Sequence, residues 1–99
     1  MSEEQERLAA ELAEELRKLR VEDVLVNTLL TISSIGYRRL GLTDDTRDDR
    51  DLEQARLAIE TMQALTPVIE QVVPAELVAD FTSSVANLQL AYAKAAAEG

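Results

Sequence analysis

Four carboxylates carry the first chemical suggestion in this chain. Counted from Asp49, the first, third, fifth and twelfth positions are Asp49, Asp51, Glu53 and Glu60, the oxygen-ligand spacing of an EF-hand calcium loop. The sixth position, where that loop needs glycine for its sharp turn, is Gln54, and the eighth is Arg56 in place of an aliphatic residue. The window also runs into a pattern of helical period. Helix-capping aspartates in a solvated charged loop account for these residues better, so no metal and no other cofactor is expected. Carboxylate acid–base work is the next option. Glu60 is the best bearer, but Arg56 four residues earlier makes it half of a surface ion pair. Ser33 and Ser34 are nucleophiles only beside an activating base. The chain has no histidine and no cysteine, and no lysine is placed to serve. That removes the usual general base, the commonest metal ligand and all thiol chemistry. The expectation is a protein that is not an enzyme, without catalytic, cofactor-binding or metal-binding residues.

The charge balance narrows the partners. Nineteen acidic against ten basic residues give a net charge of −9. Phosphate backbones repel such a surface, so direct nucleic-acid binding is not expected and a basic protein is the better-matched partner. One basic spot is conceivable where Arg38 and Arg39 meet Arg17, Lys18 and Arg20; helix-dipole complementation and solubility explain the same residues. Met1-Ser2-Glu3-Glu4 is acidic and precedes no apolar core, unlike a secretory leader. The longest uncharged stretch runs from Val24 to Tyr37, 14 residues, whereas a membrane span needs about 20 mostly apolar ones. A cytoplasmic protein without membrane contact is the expectation.

The elements that must position any surface are helices. Over residues 4–19, Leu8, Leu12, Leu16 and Leu19 fall on one face, with Glu3, Glu4 and Glu6 at the start and Arg17, Lys18 and Arg20 at the end. This reads as an amphipathic docking arm or as a frayed terminal helix. Residues 22–40 form a second helix of a different kind. At about 100° per residue, Val24, Leu25, Val26, Leu29, Leu30, Ile32, Ile35 and Tyr37 spread over roughly 240° of its circumference. An ordinary surface helix has a narrower stripe, so this one requires neighbours on nearly every side. Ser33 and Gly36 offer small surfaces for a close backbone approach, and Gly41 suits a left-handed C-cap with Leu42 making the accompanying apolar contact. Residues 43–50 read as a charged loop without an apolar anchor, expected to be the most mobile internal segment. Asp51 with Gln54 resembles a capping box opening a third helix, whose buried face is Leu52, Ala55, Ile59, Met62 and Leu65. Pro67 should kink or break it. Pro74 fits the first turn of a fourth helix with the stripe Leu77, Phe81, Val85, Leu88, Tyr92 and Ala95.

Residues 21–95 resemble the small bacterial family labelled domain-of-unknown-function 1844. The resemblance rests on Val24-Leu25-Val26-Asn27-Thr28-Leu29-Leu30 leading to Tyr37-Arg38-Arg39-Leu40-Gly41, on Asp51-Leu52-Glu53-Gln54-Ala55-Arg56-Leu57-Ala58-Ile59, and on a final helix containing Leu88 through Tyr92. It covers about three quarters of the chain with packing signatures and no active-site motif. Pro67 departs from the continuous middle helix of that family. The resemblance implies no activity. Through the gene neighbourhoods of some members it implies an association with translation initiation and ribosomal proteins.

Together these readings predict an all-α protein: a small four-helix bundle with a central, largely apolar helix, completed by oligomerisation. Residues 1–20 form an N-terminal amphipathic helix or arm and residues 21–99 the helical bundle domain. The expected function is self-association, most simply as a two-fold dimer, together with binding of another protein. The alternative is a regulatory module of the translation apparatus that binds a basic ribosomal or RNA-binding partner. The expected interface is Val26, Leu29, Leu30, Ser33 and Tyr37 of the second helix, with Tyr37 either an anchor or a core residue, and Leu8, Leu12 and Leu16 of the first. Left uncovered, Leu30, Val26 and Tyr37 would form a patch of the kind soluble monomers avoid.

Overall fold

The first helix begins with a device written in its first residues. Ser2 Oγ accepts the Gln5 N–H at 3.2 Å while Gln5 Oε1 accepts the Ser2 N–H at 3.2 Å, a reciprocal capping box that satisfies two otherwise orphaned donors. In the computed structural model, which describes residues 2–98, the helices are α1 (Glu3–Lys18), α2 (Val21–Leu40), α3 (Leu52–Ile69) and α4 (Ala75–Glu98), with a short 3₁₀ turn at Arg47–Asp49. The protein is all-α, and no strand occurs among the described residues.

Three of the helices build the core. α3 packs along both α2 and α4, and α2 meets α4 at fewer points. Leu29, Leu40, Met62 and Leu88 are the largest fully buried side chains, and among the described residues no polar or charged residue is buried with them. The α2–α3 crossing is close because both surfaces are small there. Gly36 is buried, and a Cβ added to it would stand 3.1 Å from the Ala58 Cβ.

α1 stands apart. None of its residues is buried, and among the described residues it packs on no other helix. It projects from the body, so the molecule measures 57 × 34 × 19 Å with a radius of gyration of 17.8 Å, against about 13 Å for a compact chain of this length.

Of the kink or break expected at Pro67, the break does not occur: α3 continues through Pro67 to Ile69. The missing amide forfeits one helical bond, but the last turn is held by the buried Ile69 and by the Glu70 N–H donating to the Thr66 carbonyl at 3.0 Å. Residues 43–50 have no buried residue, but polar groups tie them to one another and to α2. The Thr43 hydroxyl donates to Asp45 Oδ1 at 2.6 Å and lies 2.7 Å from Thr46 Oγ1. Arg38 Nη1 pairs with Asp49 Oδ2 at 2.8 Å, and Arg39 Nη1 donates to the Asp49 carbonyl at 3.2 Å. Arg50 closes the turn, donating from Nε to the Leu40 carbonyl at 2.8 Å and from Nη2 to the Gly41 carbonyl at 3.2 Å. These carbonyls belong to the α2 C-terminus, where a cation also complements the helix dipole. Gly41 itself adopts φ 62, ψ 37, the left-handed cap anticipated for it, and Leu42 packs against the core.

Candidate interaction surface

The groups that suggested chemistry are engaged in structural work. Asp49 is paired with Arg38, the Asp51 carboxylate accepts the Gln54 N–H at 3.2 Å as the α3 N-cap, and Glu60 is paired with Arg56 at 2.9 Å. The Glu60 hydrogen bond, followed by its charge, holds the Arg56 guanidinium above its ordinary pKa. Among the described residues no three His, Cys, Asp or Glu side chains cluster as a metal ion needs. The Ser34 hydroxyl donates back to the Leu30 carbonyl at 3.0 Å, a bond that occupies its proton within the helix. The basic residues are dispersed too: Arg17 pairs with Glu14, Arg20 with Glu22, and Arg38 with Asp49.

What remains is apolar surface. α4 buries Val85, Leu88 and Ala95, all in its C-terminal two thirds. In its first turns Leu77 is left half exposed, while Val78 and Phe81 are partly buried against the core. Between these turns and α2 lies an open groove of about 230 Å³, walled by Val26, Leu30 and Ser33 on one side and Leu77, Phe81 and Ser84 on the other. Leu29, Met62 and Ile69 form its floor, and Asp80 is the one charged residue on its lining. A shallow depression beside Glu22, Asp23, Val26 and Leu77 continues it toward the α2 N-terminus, and a separate one lies beside Ser34, Tyr37 and Arg38 at the α2 C-terminal end.

The fold therefore brings Val26, Leu29, Leu30 and Ser33 to a single groove. Leu29 is 1% exposed and supports the groove from the core, whereas Leu30 is 60% exposed at its lip. Tyr37 is not on the groove lining; it is exposed beside the separate depression at the α2 C-terminal end. Leu8, Leu12 and Leu16 are not brought to this surface; they lie on α1, each more than half exposed. Leu77, Phe81, Ser84 and Val73 line the same groove without having been assigned to an interface. The sequence did carry Leu77 and Phe81 as the start of the α4 stripe, but a stripe alone does not tell which of its residues meets another helix.

The α2 arc has a second uncovered edge. On the opposite flank Ile35 and Leu57 are exposed at 47% and 56%, and with Ile32 and Ala58 they line a shallower depression between α2 and α3. α2 thus has two neighbours where its apolar arc could take more. No helix among the described residues is long and apolar enough to cross a membrane. No family model, no curated protein and no solved structure matches the chain.

Proposed function

We propose that this protein is a non-enzymatic helical interaction module that self-associates and binds a second protein. One observation carries the reading: the accessible surface is 7243 Å², whereas area scaling gives about 5,600 Å² for a compact monomer of 10.9 kDa. The surplus goes with the projecting α1, and large apolar side chains are exposed both there (Leu8, Leu12, Leu16) and beside α2 (Leu30, Leu77), exposure of a kind that marks binding surfaces when it is contiguous. The two flanks of α2 divide the work: the deeper groove serves self-association and the Ile35–Leu57 edge the other partner. Sedimentation equilibrium of the intact protein tests the first half, with a dimer mass expected at tens of micromolar and a monomer mass contradicting it.

A narrower reading places the protein in the cytoplasm as a regulatory module of the translation apparatus and a member of the domain-of-unknown-function 1844 family. It is favoured by the resemblance over residues 21–95 and by the net charge of −9, which suits a basic ribosomal or RNA-binding partner. Affinity capture from native lysate with mass spectrometry tests it. Enriched basic ribosomal proteins, lost at high salt, are the expected result. Recovery of the bait alone would remove the support for this reading.

A further inference from the structure

We infer that the groove between α2 and α4 is the receptor for α1 of a second copy of this chain, so that two chains exchange their first helices and each completes the other's four-helix bundle. This rests on the self-association proposed above and specifies its contact.

The fit begins with length. α1 has 16 residues and spans about 24 Å at 1.5 Å per residue. The groove and the depression that shares Val26, Val73 and Leu77 with it run along α2 from Glu22 to Ser33, about 17 Å, enough to seat Leu8, Leu12 and Leu16, which span about 12 Å. Shape and polarity agree with this. Leu8, Leu12 and Leu16 lie within roughly 80° of arc on α1, a narrow apolar ridge. All three are 57% to 59% exposed, and α1 packs on no other helix of its own chain among the described residues. The receiving side presents Val26, Leu30, Leu77 and Phe81.

The connection between α1 and α2 decides between the chain's own α1 and a second copy. Only Leu19 and Arg20 separate the two helices, and both are extended, at φ −81, ψ 141 and φ −105, ψ 143. For α1 to lie back on α2 of the same chain, this two-residue link would have to reverse direction. Reversals after a helix are commonly made by a glycine in the left-handed region, as Gly41 does at the other end of α2. Lys18-Leu19-Arg20-Val21 has no glycine, and a left-handed leucine or arginine is disfavoured. A short hinge that resists reversal favours exchange between copies. The area is also sufficient. Removing a surplus of about 1,600 Å² from each of two chains gives a total within the range of obligate homodimers.

The absence of cysteine from the chain makes a clean test possible. Leu12 lies near the middle of α1 and Leu30 near the middle of the groove, so they meet whichever way α1 runs. Chains carrying only Leu12→Cys and chains carrying only Leu30→Cys are refolded together and oxidised. The expected product is a disulfide heterodimer joining the two kinds of chain, far in excess of either homodimer. In the otherwise intact protein Leu12→Glu should weaken dimerisation by at least about 100-fold with the fold of the α2–α4 body unchanged, since α1 packs on no other helix of its own chain among the described residues. A dimer that resists Leu12→Glu and gives no mixed disulfide would overturn the exchange and leave self-association standing at another surface. A monomer mass for the unmodified protein would overturn both. A monomer in which the Leu12→Cys/Leu30→Cys double variant closes an internal disulfide would show α1 folded back on its own chain.

Discussion

Gly36 and Ala58 face each other across the α2–α3 crossing so closely that a Cβ on Gly36 would stand 3.1 Å from the Ala58 Cβ, with Leu88 Cδ2 at 3.7 Å behind it. The contact sets the distance between the two helices that share the most surface. Gly36→Ala gains about 1 kcal/mol of helix propensity and loses a similar amount to crowding, so it should be close to neutral. Gly36→Val adds branched bulk against two neighbours and should cost about 2–3 kcal/mol. Urea unfolding followed by circular dichroism measures both, and equal stability of the two variants would contradict the tight crossing.

Arg50 ties its own turn to two helix ends: the α2 C-terminus through the Leu40 and Gly41 carbonyls, and the α4 C-terminus through Glu98 at 3.1 Å. Arg50→Ala should cost about 1–2 kcal/mol, because the guanidinium is partly buried and serves carbonyls that lose their partner. Glu98→Ala should cost less than about 0.5 kcal/mol, since that carboxylate is half exposed and screened. A double-mutant cycle should therefore return a coupling well below the Arg50→Ala effect. A coupling equal to it would move the importance of Arg50 to the α4 pair.

Gly41 is the position where backbone geometry and packing both demand glycine. It has φ 62, and a Cβ there would meet the Arg50 Cβ at 2.6 Å. Gly41→Ala combines left-handed strain of about 1 kcal/mol with displacement of Arg50, and should cost about 2 kcal/mol or more. Reduced amide-exchange protection at Asp51, whose N–H donates to the Arg39 carbonyl at 2.8 Å, should accompany it.

Leu30 and Leu88 separate assembly from folding. Leu88 is 0% exposed, and Leu88→Ala should cost about 3–4 kcal/mol of stability. Leu30 lies at the groove lip, so Leu30→Glu should alter the stability of a single chain by less than about 0.5 kcal/mol while abolishing self-association. Sedimentation equilibrium and urea unfolding of the same samples distinguish the two effects. An unchanged oligomer mass for Leu30→Glu would exclude the groove.

Acid should loosen the turn after α2. The Thr43 hydroxyl, and after it the Asp45 backbone amide, holds the Asp45 carboxyl below the usual aspartate range. A carboxylate whose folded pKa is depressed contributes stability that is fully present above its unfolded pKa. That contribution is lost as pH falls through the lower folded value. The Asp45 carboxyl resonance should thus titrate below that of an unstructured peptide, and Thr43→Val should return it toward the ordinary value. An Asp45 pKa unaffected by Thr43→Val would remove the hydroxyl as the cause.

Much of the fold is legible in the sequence because it is written in local terms. The leucine spacing of α1, the Asp51 cap, the Gly41 stop and the Leu77-to-Ala95 stripe each act within a few residues of themselves. The starts of the four helices follow from them to within a residue. The excess of apolar arc on α2 is legible in the same way, and so are Val26, Leu30 and Ser33 as surface worth watching. Other features depend on groups far apart in the chain. Arg50 became a cap only when the turn carried it back to the carbonyls of Leu40 and Gly41, which is why a stretch of polar residues read as untethered. Pro67 was tolerated because burial of Ile69 held the turn beyond it. Leu77 and Phe81 joined Val26 and Leu30 on one groove, a juxtaposition of residues about fifty positions apart that no local pattern encodes. Sequence alone determined which faces are apolar. Only the tertiary structure decided which of those faces are covered, because covering depends on where another helix lies.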